Sequence, residues 1–177
     1  MCSFGLNWST SAAIVDMTQY FPARKVSRLD FVYDRIVGAS ITTVWNVLTN
    51  PEAMEPHLPG TAKVASTGID SYRVSMKISM GFLRPTVNAK VQLSEVNEPE
   101  SFVIELSGKS MGAGVKGTSE VVLSAVEHDP NATRVRMTGT VETSGLLKKV
   151  SDSKIETAAT GFIESYFSSV EREYSRS

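Results

Sequence analysis

The chain has 177 residues, 41% hydrophobic and 21% charged, and its 18 Lys and Arg against 19 Asp and Glu leave a formal charge of −1. This is the profile of one ordinary soluble domain, with no global basic excess to hold a phosphate backbone, so nucleic acid is excluded as a primary partner. The single cysteine, Cys2, excludes an internal disulfide framework and a cluster of thiolate metal ligands, and fits a cytoplasmic location.

Met1 to Tyr20 has no basic start, and its longest apolar stretch is Ala12 to Val15, so it is a poor signal peptide. Residues 1–28 are expected to form a flexible extension, with Met17 as an alternative start, and residues 29–174 a single domain. No run approaches the roughly 18 to 20 apolar residues that a membrane helix needs. Leu29 to Val37 is apolar and β-prone. Ser40 follows as an N-cap for Ile41 to Leu48, whose Ile41, Val44, Trp45 and Leu48 share one helical face. Asn50-Pro51 ends this helix and opens a second, Glu52 to His57, stopped by Pro59-Gly60.

After Gly60 the period falls from 3.6 to 2. Tyr72, Val74, Met76, Ile78 and Met80 alternate with polar residues, as do Val87 to Leu93 and Phe102 to Leu106, which predicts long antiparallel strands with one wet face. Val115 to Val126 and Thr133 to Val141 continue the meander through a turn at Glu127 to Asn131. From Leu146 the helical period returns, with Ile155, Ala159, Phe162, Ile163, Tyr166, Phe167 and Val170 on one stripe. The order predicts an α+β fold: a curved antiparallel sheet of about seven strands gripping a long C-terminal helix, with two short helices after the first strand. A helix too thin to fill such a concavity leaves a cavity beside it.

Val44-Trp45-Asn46-Val47-Leu48-Thr49-Asn50-Pro51-Glu52, then Leu58-Pro59-Gly60 and Tyr72, resemble the opening of the carbon monoxide dehydrogenase G-subunit family, within the START-like helix-grip (SRPBCC) superfamily. The resemblance continues through Gly114 to Leu123, Thr133-Arg134-Val135, Ser144-Gly145-Leu146 and the aromatic-rich Phe162 to Phe167, and covers roughly residues 30–170. It implies an accessory protein of molybdenum-containing hydroxylases with an apolar pocket for a quinone or other lipid-like molecule. Many bacterial members carry a C-terminal membrane anchor that this sequence does not show, so constitutive recruitment to a membrane is not expected.

The residues themselves offer little catalytic chemistry. Of the two histidines, His128 sits in a turn and reads as solvated, whereas His57 lies beside the Leu-Pro-Gly turn, either at the mouth of the grip or as an exposed helix-end residue. No His or Cys pair stands at metal-ligand spacing, so neither a metal nor another cofactor is expected beyond a bound quinone or lipid. Glu52 and Glu55 are explained by solvated helix charges. Gly108, Gly112, Gly114 and Gly117 lead into β-periodic sequence, so they predict a bulged hairpin or sheet bend rather than a phosphate loop. Methionines and aromatics collect on the inward face, Phe82 among them. The candidate ligand-binding set is His57, Leu58, Tyr72, Met76, Met80, Phe102, Met111, Met137, Phe162 and Tyr166, with the Tyr72 or Tyr166 hydroxyl orienting the ligand. The leading expectation is non-catalytic binding of an apolar or amphipathic molecule as accessory to a molybdenum hydroxylase such as carbon monoxide dehydrogenase. The alternatives are a cyclase- or hydrolase-like enzyme using His57, Tyr72 or a pocket carboxylate, and a protein-interaction module with an incidental cavity. A homodimer through strand edges is a further candidate partner arrangement.

Overall fold

The computed structural model describes residues 27–60, 63–77, 86–110 and 112–174. Seven strands form one antiparallel sheet: β1 (Ser27–Val37), β2 (Lys63–Gly68), β3 (Ser71–Lys77), β4 (Thr86–Asn97), β5 (Ser101–Ser110), β6 (Ala113–Val126) and β7 (Asp129–Gly145). Their order is β1-β7-β6-β5-β4-β3-β2, so β2 to β7 run as a meander and β1 closes beside the last strand. The helices are α1 (Ile41–Thr49), α2 (Pro51–Met54) and α3 (Asp152–Tyr174), with 3-10 turns at Glu55–His57 and Leu146–Lys149.

The local chemistry follows the expected punctuation. The Ser40 hydroxyl accepts from the Thr43 N–H at the start of α1, and Asn50 ends α1 while its side chain caps α2, which carries Pro51 in its first turn. The second expected helix is shorter than Glu52 to His57: α2 ends at Met54 and tightens into a 3-10 turn carrying Pro56, which has no N–H to continue an α-helix. β2 lacks alternating apolar residues and is an almost wholly exposed edge strand.

Several strands run beyond the expected ends, and two of these differences have a local reason. The chain enters the sheet at Ser27, not Leu29, because Ser27 and Arg28 extend the pairing with β7. β7 begins at Asp129 rather than Thr133, after a two-residue turn in which His128 takes a φ of 66°. Pro130 is tolerated there because β1 ends at Val37, opposite Thr133, and leaves that flank of β7 unpaired. The glycine-rich segment forms the β5–β6 hairpin, with Gly112 at φ 80°, but the pairing carries no register shift, so the expected bulge is absent.

One sheet face is the core. Phe102, Val121, Leu123 and Val135 on β5 to β7 pack with Trp45 of α1 and with Tyr166, Phe167 and Val170 of α3, all buried. Trp45 meets Phe102 edge-on with ring centroids 5.4 Å apart. Among the described residues, no helix is long and apolar enough to cross a membrane.

Candidate functional site

Register fixes what the inner face presents, because side chains at paired positions share a face. One inner row runs Tyr33, Met137, Val121 and Phe102 across β1, β7, β6 and β5. A row nearer the β5–β6 hairpin runs Leu29, Val141, Gly117, Leu106, Val91 and Tyr72.

The two ends of α3 grip this surface differently. In its C-terminal half Tyr166, Phe167 and Val170 are buried, whereas in its N-terminal half Ile155, Ala158, Ala159 and Phe162 are only half-buried. The wall shows the same gradient: Phe102 and Val121 are buried, but Leu106, Gly117, Gly139 and Val141 keep accessible surface although they face inward. The residues of this half are small on both partners, Gly117 and Gly139 on the wall and Ala158 and Ala159 on the helix. The grip is therefore sealed at one end of α3 and partly accessible along the other.

A latch closes the tight end. Arg35 projects inward from β1 and pairs with Glu164 and, at 2.6 Å, with Glu171, while the Tyr33 hydroxyl donates to Glu164 at 2.6 Å. Glu171 also accepts from the Gly38 N–H at 3.0 Å. Burial first, then the bond to Glu164, pushes the Tyr33 phenol up to about 12. Both inward carboxylates are thereby committed to Arg35. Sequence reading missed the latch; the signal was an arginine in the otherwise apolar inward row Leu29, Phe31, Tyr33, Arg35 and Val37 of β1.

The candidate residues fall into three groups. Tyr72, Met76 and Phe102 are buried in the inner wall, and Met137, Phe162 and Leu58 pack half-buried against the same core. Met80 and Met111, like Phe82, lie outside the described residues. His57 and Tyr166 form a separate cluster where the 3-10 turn meets the end of α3, with rings edge-on and centroids 6.1 Å apart.

His57 is neither exposed nor on the sheet wall: it is 3% exposed, its Nδ1 lies 3.2 Å from Ser169 Oγ and its Nε2 3.6 Å from Glu173 Oε2. Burial holds the imidazole below the ordinary histidine range against the raising effect of Glu173. Ser, His and Glu thus stand together, but Ser169 lies inside α3, where neighbouring N–H groups are spent on the helix and none is free to stabilise an oxyanion. The cluster is a clamp between the turn and α3. The Tyr166 hydroxyl donates to the Val47 carbonyl at 2.5 Å, so it is not available to orient a ligand.

Tyr72 is different. It is 1% exposed, and its hydroxyl has no hydrogen-bond partner among the described residues; burial first, then Asp70, pushes the phenol well above its usual range and keeps it protonated. The Thr143 hydroxyl, on the same inner face near the hairpin, is the other buried polar side-chain atom without a partner among the described residues. An unpaired buried hydroxyl is costly unless something completes it. No group of acidic, His or Cys side chains able to hold a metal occurs among the described residues.

A seven-stranded antiparallel sheet packed on a long C-terminal helix, with two short helices after the first strand, is the START-like helix-grip fold. The chain belongs to the carbon monoxide dehydrogenase G-subunit (CoxG) family, whose model matches residues 35–175. Among solved structures, a conserved protein from Geobacillus kaustophilus is similar at 15% identity and a TM-score of 0.76, over 84% of this chain and 96% of that one. A START superfamily protein from Mycobacterium smegmatis is similar at 13% identity and a TM-score of 0.62, over 83% and 97%. The Zhui aromatase/cyclase from Streptomyces sp. R1128 is similar at 15% identity and a TM-score of 0.58, over 85% and 95%. No curated protein sequence matches significantly.

Proposed function

We propose that the chain binds an apolar or amphipathic small molecule, a quinone or lipid-like compound, between the sheet and the N-terminal half of α3. It does so without catalysis, as an accessory protein to a molybdenum-containing hydroxylase such as carbon monoxide dehydrogenase. The observation that carries this reading is the inward apolar wall that keeps accessible surface at Leu106, Val141 and Phe162, with the buried Tyr72 and Thr143 hydroxyls of the same face unpaired among the described residues. A ligand carbonyl or hydroxyl accepts or donates the missing bond while its apolar body covers Leu106, Val141 and Phe162. Family membership supports the hydroxylase as partner. Catalysis gains no support, since the inward Glu164 and Glu171 are held by Arg35 and His57 is clamped away from the wall.

Native mass spectrometry of protein extracted gently from its own host, with quinone and fatty-acid titration of the stripped protein, tests this reading. A co-purifying apolar compound and saturable one-to-one binding are expected. Repeated absence of both contradicts it.

A further inference from the structure

The outer face of the sheet carries a second feature that the inner wall does not explain. Arg73, Lys90, Ser107 and Lys116 stand directly opposite one another on β3, β4, β5 and β6, and the row continues through Glu142 of β7 to Arg28 of β1. A parallel outer row, Asn88, Lys109, Gly114 and Ser144, lies one pleat away on β4 to β7. Between them is a trough of about 570 Å³. Its floor is the backbone of Ala89, Gly108, Val115 and Thr143, positions whose side-chain direction is the inner face. The absence of a side chain at Gly114 keeps the trough open, since a Cβ there would stand 2.6 Å from Ser144 Oγ.

Its charge is unbalanced in a way the rest of the face is not. Four cations and one carboxylate line the trough, a net of three positive charges, and none of them makes an ion pair among the described residues. Arg73 and Lys90 are direct cross-strand neighbours, and like charges in that relation repel. At the β1 side of the same face the charges are paired: Asp34 takes both Arg134 and Arg136, and Arg28 stands beside Asp30. In a chain with a formal charge of −1, this local excess is a placement rather than a consequence of composition.

The chemistry limits the occupant. Strand spacing puts Lys90 and Lys116 about 10 Å apart, with Lys109 about 7 Å along the strand from the residue between them, a span suited to a compact polyanion. The Ser107 hydroxyl and Asn88 amide have no partner among the described residues and supply neutral donors to anionic oxygens. No aromatic side chain lines the trough, so there is nothing on which a nucleobase would stack. We propose that this trough binds a compact, multiply phosphorylated group, carried either by a soluble molecule or by a lipid headgroup.

Calorimetric titration of the full chain with sodium tripolyphosphate at physiological ionic strength, beside co-sedimentation with vesicles containing phosphatidylinositol bisphosphate, tests the site. Saturable binding of tripolyphosphate assigns a soluble source, and binding to the phosphoinositide vesicles alone assigns a headgroup. In either case Lys90→Gln and Lys116→Gln each weaken binding about fivefold and the pair about 25-fold, whereas Lys154→Gln on α3 has no effect. Amide shifts in the wild type are expected at Lys90, Ser107, Lys109 and Lys116, a readout independent of whether the variants fold. Three results would overturn the proposal: no response beyond that to chloride at equal ionic strength, equal binding to phosphatidylserine vesicles of matched charge, or shifts confined to other surfaces.

Discussion

Tyr72 and His57 are both candidates from sequence, and their surroundings give them opposite roles. The Tyr72 hydroxyl is buried without a partner, so Tyr72→Phe removes an unsatisfied group. The variant is expected to be more stable than wild type by about 1 kcal/mol in urea denaturation, while binding a polar-headed ligand about three- to tenfold more weakly. Loss of stability instead would mean that the hydroxyl is already satisfied in the free protein. His57 is held neutral by burial, so its folded-state pKa lies below the ordinary histidine value. The unfolded chain then binds the proton first on acidification. Stability from this residue is complete above the ordinary histidine range and is lost as pH falls through the lowered pKa. His57→Gln should flatten the dependence of urea midpoint on pH in the mildly acidic range. Neither role was legible in the sequence, because Leu-Pro-Gly spacing places His57 at the end of a turn but does not say that Ser169, 112 residues away, closes over it.

At the scale of the element, α3 is a legible helix with an illegible attachment. Its stripe of Phe162, Tyr166, Phe167 and Val170 follows from the 3.6 period, and the structure packs that stripe into the core. The Arg35 latch to Glu164 and Glu171 depends on long-range packing: alternation puts Arg35 on the face of Leu29, Phe31 and Tyr33, but nothing in β1 says which carboxylates of α3 it meets. Arg35→Ala leaves both α3 carboxylates without their counter-charge, with the Tyr33 hydroxyl and the Gly38 N–H as the donors that remain. Arg35 keeps 20% of its side-chain surface, Glu164 47% and Glu171 26%, so the cost is set below that of a fully buried pair, at about 2 kcal/mol. Hydrogen exchange should show α3 opening first. At alkaline pH the same element loosens by another route: Tyr33 ionises near 12 in the fold and near its ordinary value of about 10 when unfolded. Its contribution is therefore present below the ordinary value and lost as pH rises towards 12, and Tyr33→Phe should remove that step from a pH series of thermal unfolding.

The whole molecule is the most legible level, since strand, two short helices, meander and long helix appear in that order as changes of period. What could not be read was the unequal grip, in which Phe102 and Val121 are sealed while Leu106 and Val141 keep surface, because that contrast depends on how far α3 stands from the wall. Topology also sorts the charges. Lys63, Lys77, Lys109 and Lys116 lie toward the end of the sheet with the β5–β6 hairpin, whereas Asp70, Glu95, Glu100 and Glu127 lie at the opposite turns. The accessible inner wall and the cationic trough therefore share one end of the fold on opposite sheet faces. The central claim is that the inner wall, and not the outer face, receives an apolar ligand. Methyl and aromatic NMR of the stripped protein titrated with a short-chain quinone or a medium-chain fatty acid tests it most directly. Saturating shifts at Leu106, Met137, Val141, Phe162 and Tyr72 are predicted, with attenuation in Tyr72→Phe; a spectrum unmoved at those positions, or moved only on the outer face, would contradict it.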